Sequence, residues 1–196
     1  MGRLILSVVI AVACLMSACG QSAAPKFQLT DVTGADFGKS LALTDHTGKP
    51  RTLADFQGKV VVIFFGYTQC PDVCPTTLSE MAKVVKDLGA DGEKVQVLFV
   101  SIDPERDTRE LLRQYVTAFN PSFLGMVGDT AATMRTAKEF KVYMQKQPAR
   151  GGSYSVDHSA GTFIFDQQGR LRLFAQYGVS TSALLGDIRT LLKQTS

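Results

Sequence analysis

Blocks of apolar and polar positions along the chain predict a layered α/β domain. Two continuous β-branched and aromatic runs, at residues 60–65 and 95–102, have the composition of strands buried on both faces. Apolar residues at helical spacing predict four helices, at residues 75–88, 108–119, 130–140 and 181–192. The alternation of strands and helices predicts a mixed central sheet flanked by helices on both faces.

Two hairpin patterns extend this expected sheet. Residues 40–53 have a hairpin pattern around a turn at 45–48, which predicts an N-terminal β-hairpin extension of the domain. Residues 162–174 have a second hairpin pattern around a turn at 166–169. Short strands are also expected at residues 27–33 and 123–127.

The first twenty residues differ in kind from the rest of the chain. Arg3 gives a positive start, an apolar run occupies residues 4–16, and small residues precede Cys19. An apolar core of about 13 residues is too short to span a bilayer by itself but is typical of a signal peptide. The segment resembles the lipobox of bacterial lipoproteins, in which the cysteine, here Cys19, is lipidated and becomes the mature N-terminus.

These features predict a signal peptide at residues 1–18, a lipidated terminus and tether at 19–26, and one domain at 27–196. The domain is expected to be exported and held at a membrane, facing the periplasm or extracytoplasmic space. A cleaved signal without lipid and an N-terminal anchor helix are the alternatives, and both still export the domain.

Charge excludes one class of partner. The net charge is +3 over 196 residues, and the basic residues are scattered rather than clustered. A nucleic-acid-binding domain would carry a concentrated basic patch. We therefore expect no nucleic acid as a partner.

The cysteine count directs attention to a single pair. Of four cysteines, Cys14 leaves with the expected signal peptide and Cys19 carries lipid, so the domain keeps Cys70 and Cys74. One pair in a domain of this size is not a disulfide scaffold. The pair follows the buried run at 60–65 and leads into a helix, which is the thioredoxin arrangement.

The spacing of the pair leaves redox and metal chemistry both open. On a helical first turn, Cys70 and Cys74 would lie about 6 Å apart along the axis, which permits a strained, labile disulfide. Two thiolates on one face also suit Cu(I) or Zn(II) with at least one further ligand. A helix N-terminus favours the ionised thiols, whereas the intervening Asp72 opposes them.

The chain offers two histidines as a third ligand. His46 is expected to be a solvent-exposed turn residue, whereas His158 lies just before the strand of the second hairpin, in a loop that a thioredoxin-like sheet brings towards the cysteines. Zinc would want a fourth ligand, for which only His46 and Asp72 are left, so the donor set favours copper.

Three other features receive structural interpretations. Met81 and Met134 fall on apolar helical stripes and are expected in the core. The segment 103–107 alternates in charge and is expected to form a local salt-bridged turn. Residues 141–156 are expected to form a polar loop; it is basic and glycine-containing, and as a mobile loop it would let the site open and attract an acidic partner.

Three motifs in register, at residues 66–78 (GYTQCPDVCPTTL), 100–108 (VSIDPERDT) and 156–161 (VDHSAG), resemble the Sco/SenC family of membrane-tethered thioredoxin-like copper proteins. The resemblance implies a thioredoxin-like fold and copper ligation by Cys70, Cys74 and His158.

The resemblance also implies a function, the assembly of the dinuclear copper centre of cytochrome c oxidase. In one mechanism the protein would transfer copper to the copper-bearing subunit. In the other, the Cys70–Cys74 dithiol would reduce a disulfide of that subunit and become a disulfide itself, so that another carrier delivers the copper. A thiol reductant would then be a further partner. The rival hypothesis is an extracytoplasmic thiol-disulfide oxidoreductase or peroxidase without a copper role.

Overall fold

The computed structural model describes residues 25–148 and 153–194. The expected signal peptide, the lipidation site Cys19 and most of the tether at 19–26 lie outside these residues. Among the helices of the described part, none combines the length and apolar character needed to cross a membrane.

The described residues form ten strands and four α-helices. The strands are β1 (Thr30–Asp31), β2 (Ala42–Asp45), β3 (Pro50–Thr52), β4 (Val60–Gly66), β5 (Val95–Ser101), β6 (Leu124–Val127), β7 (Met144–Pro148), β8 (Tyr154–His158), β9 (Gly161–Phe165) and β10 (Leu171–Gln176). The α-helices are α1 (Val73–Asp87), α2 (Arg109–Phe119), α3 (Thr130–Glu139) and α4 (Thr181–Lys193), with short 3-10 helices at Leu53–Phe56 and Gly89–Lys94.

Eight strands form one mixed sheet, in the order β1-β10-β9-β4-β5-β6-β2-β3. The central strands β4, β5 and β6 are parallel, and the strands on either side of them pair antiparallel. The predicted N-terminal hairpin is β2–β3, and it joins the edge of this sheet because β2 pairs with β6. The α/β fold with a mixed sheet and flanking helices is confirmed.

Strand β4 is buried on both faces, as its continuous apolar composition predicts. Phe64 lies in one core layer with Leu78 of α1 and Ile188 of α4. Its neighbour Phe65 faces the opposite layer, where its ring centroid lies 5.2 Å from that of Phe140, just beyond α3. Because successive side chains of a strand alternate between faces, the end of β4 is held from both sides.

The prediction of a polar loop at 141–156 was wrong. The described part of this segment forms β7 and most of β8, which pair antiparallel in a separate two-stranded sheet. Most of these side chains are exposed or half-buried, so the segment lacks the apolar alternation that identifies a strand in a sequence.

Of the two methionines expected in the core, only one is there. Met81 is buried, as predicted, whereas the prediction for Met134 was wrong, since 61% of this residue is exposed. The buried face of α3 is formed by Thr133, Thr136 and Ala137. Because these buried side chains are small or carry hydroxyl groups, Met134 is more hydrophobic than any of them and resembles a core residue in the sequence. It lies one position away from the buried stripe.

Candidate metal centre

The turn that follows β4 and the start of helix α1 position the two cysteines. After Gly66 the chain turns, with the Cys70 amide donating to the Tyr67 carbonyl at 3.1 Å. Helix α1 then begins at Val73, two residues earlier than predicted, so Cys74 lies in its first turn and Cys70 precedes the helix. Cys70 and Cys74 therefore do not share a helical turn, which was the condition for the axial spacing of about 6 Å.

Close packing fixes the position of the inner cysteine. Cys74 is completely buried between β4 and α1. A Cβ atom at Gly66 would lie 2.7 Å from the Cys74 Sγ, closer than real contacts allow. A glycine at this position thus lets the sulfur rest against the backbone of the strand.

The outer cysteine is half-buried, and its sulfur accepts several hydrogen bonds. The Cys74 thiol and the backbone amides of Cys74 and Asp72 donate to it, and the His158 ring lies within hydrogen-bonding reach. The thiol hydrogen bond is the largest of the influences that lower the pKa of Cys70, to about 4, against the opposing effect of burial. At neutral pH Cys70 is therefore a thiolate.

The same hydrogen bond and burial raise the pKa of the Cys74 thiol. Cys70 and Cys74 are not joined by a disulfide in this structure. The pair therefore consists of one half-buried thiolate, Cys70, and one buried thiol, Cys74, whose proton is hydrogen-bonded to that thiolate.

His158, the last residue of β8, completes the group. Its Nδ1 lies 3.0 Å from the Ser159 carbonyl oxygen, which only accepts, so Nδ1 carries the hydrogen and Nε2 remains for a ligand role. The rings of Phe64 and Tyr67 contact the imidazole edge-on, at centroid distances of 6.5 and 6.3 Å. Ligand atoms of Cys70, Cys74 and His158 all lie within 4.8 Å of one another.

The other candidate ligands lie elsewhere. His46, expected to be exposed, is half-buried, and its Nδ1 accepts a hydrogen bond from the Gly125 amide at 3.1 Å. Burial lowers the pKa of His46. Asp72 is exposed and, among the described residues, does not belong to the group of three.

The segment 103–107 forms the predicted salt-bridged turn and also supports the cysteine loop. Arg106 pairs with Asp103 inside the turn. Asp107 is buried and accepts hydrogen bonds from the Thr68 hydroxyl at 2.6 Å and the Ser101 hydroxyl at 2.7 Å. Burial raises the pKa of the Asp107 carboxyl, and this effect is larger than that of its hydrogen bonds, which lower the pKa.

Sequence reasoning missed this support and the role of Gly66. The charges at 103–107 identify a local turn but not its long-range partner Thr68. Chain position could have indicated this contact. The cysteines and the turn each follow one of two parallel buried strands, so both lie at the same edge of the sheet.

The sequence pattern of the SCO1/SenC family matches residues 24–193. The chain belongs to this family. The family assignment that the three motifs indicated is confirmed, and with it the thioredoxin-like fold.

Individual SCO1/SenC relatives agree with this assignment. The mitochondrial SCO2 homologue of Mus musculus is 38% identical over 146 residues, which cover 72% of this chain and 56% of that protein. The match thus spans little more than half of that relative's length.

Solved structures of SCO1/SenC proteins have the same fold. Copper-bound ScoI of Bradyrhizobium japonicum is 37% identical with a TM-score of 0.74, over 80% of this chain and 99% of that one. Apo Sco1 of Thermus thermophilus is 42% identical with a TM-score of 0.76, over 87% and 99% of the two chains.

Proposed function

We propose that this protein binds copper through Cys70, Cys74 and His158 and helps to assemble the dinuclear copper centre of cytochrome c oxidase. The observation that carries the proposal is the convergence of two sulfurs and one imidazole nitrogen within 4.8 Å at one edge of the sheet. The copper-bound ScoI of Bradyrhizobium japonicum and the copper-bound Sco1 of yeast, 28% identical to this chain, support the choice of cargo.

The spacing of the three ligand atoms suits a small metal ion. Metal–sulfur bonds of about 2.3 Å and metal–nitrogen bonds of about 2.0 Å in a trigonal site put the ligand atoms about 3.5–4 Å apart. Atoms that already lie within 4.8 Å need to shift by about 1 Å or less to reach this geometry. Soft thiolates select copper, while zinc would require a fourth ligand.

Charge also suits copper. Two thiolates and a neutral imidazole carry a charge of −2, so Cu(II) gives a neutral site and Cu(I) leaves a charge of −1. The backbone amides that donate to Cys70 help to hold the residual negative charge. Loading removes the proton of Cys74, so copper affinity rises with pH.

Exposure distinguishes the two sulfurs during copper transfer. Cys70 is accessible, so an incoming thiolate from the partner reaches this side of the site first, whereas Cys74 is buried and remains bound longest. Successive replacement of the three ligands by cysteines of the cytochrome c oxidase subunit moves the ion without a free intermediate.

The same thiols support a second role, reduction of a disulfide in that subunit. The Cys70 thiolate attacks one sulfur of the target disulfide and forms a mixed disulfide, releasing the other target sulfur as a thiolate. Cys74 then passes its proton to the target thiolate released first and attacks Cys70, which releases the second target sulfur as a thiolate. Two electrons pass to the target, and the Cys70–Cys74 disulfide remains for a thiol reductant to reopen. The low pKa of Cys70 beside a buried partner favours this role.

Location follows from the N-terminal sequence. We propose export by residues 1–18 and membrane anchoring through lipidated Cys19, which places the domain in the periplasm or extracytoplasmic space. The expected partners are the copper-bearing oxidase subunit and another copper carrier.

Copper loading of the purified exported chain tests the proposal. We expect one copper ion per chain and an intense thiolate-to-Cu(II) absorption band. Cys70→Ser, Cys74→Ser and His158→Ala should each remove or shift the band. His46→Ala is the matched control, because it removes a histidine outside the group and should leave the spectrum unchanged.

Two outcomes would contradict the copper site. An unchanged band and affinity in His158→Ala would exclude the three-ligand arrangement. Rapid peroxide turnover by the metal-free protein, without stoichiometric copper binding, would favour the peroxidase hypothesis.

A further inference from the structure

Arg106 contacts both halves of the candidate metal centre. One Nη1 bond, of 2.9 Å, goes to the side-chain oxygen of Gln69, the residue before Cys70. A second, also of 2.9 Å, goes to the backbone carbonyl of Tyr154, the first residue of the strand that ends at His158. A single guanidinium therefore connects the cysteine loop with the histidine strand.

The contact with Tyr154 is extensive. The guanidinium carbon of Arg106 lies 3.6 Å from the centroid of the Tyr154 ring. The Tyr154 hydroxyl donates to the Asp103 carboxylate at 2.7 Å, and Asp103 is in turn the ion-pair partner of Arg106. Asp103 is fully buried, so this pair is well shielded from water.

The hairpin β7–β8 depends on such side-chain contacts for its position. Among the described strands, neither β7 nor β8 pairs with a strand of the eight-stranded sheet. Besides Arg106, the hairpin is held by the Lys146–Glu105 ion pair of 2.6 Å, which is largely exposed, and by a long 3.4 Å bond from the Val156 amide to the Tyr67 hydroxyl. An exposed ion pair contributes little, so the Arg106 contacts are the principal polar tie, beside the packing of buried Val156 in the core.

We propose that Arg106 is a positioning residue that sets His158 against the cysteine pair. The proposal rests on the proposed copper site and assigns a specific task to one residue outside it. Arginine suits the task because its planar fork makes several directed hydrogen bonds and stacks on an aromatic ring at once, which lysine does not.

Cu(II) and Cu(I) distinguish this role from general destabilisation. Soft Cu(I) is satisfied by the thiolates, which Arg106→Gln leaves in place, whereas Cu(II) depends more on the imidazole. We expect Arg106→Gln to lower Cu(II) affinity by about tenfold and to shift the thiolate-to-Cu(II) band, as loss of an orienting partner does. Cu(I) affinity should stay within about twofold of wild type.

Two further variants serve as comparisons. Arg113→Gln is the matched control, because it removes an exposed arginine that pairs with Glu110 within α2, and it should change neither affinity. Tyr154→Phe keeps the ring under Arg106 but removes the bond to Asp103. It should produce a smaller shift of the same band, and it tests the connection if Arg106→Gln fails to fold.

A double-mutant cycle decides whether Arg106 acts through the imidazole. In the His158→Ala background, Arg106→Gln should lower Cu(II) affinity by less than about twofold, because the ligand it positions is already absent. Equal losses in both backgrounds, or equal losses of Cu(I) and Cu(II) affinity, would overturn the proposal. Absence of copper binding by the wild-type protein would instead refute the proposed function.

Discussion

The contact between Gly66 and Cys74 makes a sharp prediction for Gly66→Ala. The added methyl would lie 2.7 Å from the Cys74 Sγ and 2.8 Å from a ring carbon of Phe99. Both neighbours are fully buried, so neither has free space into which to move. The variant should therefore push the inner sulfur out of line with Cys70 and His158.

The cost is that of overpacking a core. Such insertions destabilise by about 1–3 kcal/mol, and for a domain of this size about 2 kcal/mol lowers the melting temperature by about 4–8 °C. Calorimetry of the metal-free protein measures this change. Copper titration of the same variant should show a shifted thiolate-to-Cu(II) band and weaker binding.

Gly125→Ala is the matched control for this experiment. A Cβ at Gly125 would lie 2.8 Å from the Cβ of Leu112, so it should destabilise the domain comparably. Gly125 lies in β6, away from the cysteines, and its variant should keep the wild-type copper spectrum. If Gly66→Ala also kept that spectrum and the wild-type melting temperature, the packing argument for the Cys74 sulfur would be refuted.

Three further predictions concern titration and buried hydrogen bonds. The pKa of Asp45 is about 2 although burial raises it, because hydroxyl, guanidinium and amide donors bind the carboxylate. Because the ordinary pKa is 3.8, the lowered pKa stabilises the fold above pH 3.8. This stabilisation is lost as the pH falls through about 2. Asp45→Asn should thus cost about 2 kcal/mol in denaturant unfolding at neutral pH and little near pH 2; an equal cost at both would contradict the linkage. Buried Asp187 accepts two amides of the N-terminal segment, at 2.9 and 2.7 Å, so Asp187→Ala should lower the free energy of unfolding by about 2–3 kcal/mol, and a loss below about 0.5 kcal/mol would refute this. Alkylation of Cys70, followed by mass spectrometry, should slow only as the pH falls through about 4, and the slowing should move to higher pH in Cys74→Ala; an unchanged profile there would exclude the thiol hydrogen bond as the cause.

Local pattern was sufficient for the central elements of the fold. The buried runs that became β4 and β5, and the stripe containing Leu78 and Met81, are strongly periodic or continuously apolar, so they predicted the correct elements within a few residues. Prediction failed for Met134, where the stripe is weak, and for β7–β8, which have little apolar alternation.

The sequence by itself determined which side chains of the domain are available for soft-metal chemistry, since its two cysteines and two histidines leave few combinations. Spacing within 66–78 also placed the cysteine pair at the end of a buried strand. The three motifs were sufficient to indicate the family.

Only the tertiary structure decided how those side chains meet. His158 reaches the cysteines through a hairpin whose main polar contacts are with Arg106 and Asp103, and these contacts join residues about fifty positions apart. The opposite pKa shifts of Cys70 and Cys74 likewise depend on which sulfur is buried and which accepts the shared proton. Burial and long-range hydrogen bonding are properties of the folded chain, because they depend on neighbours that sequence spacing does not specify.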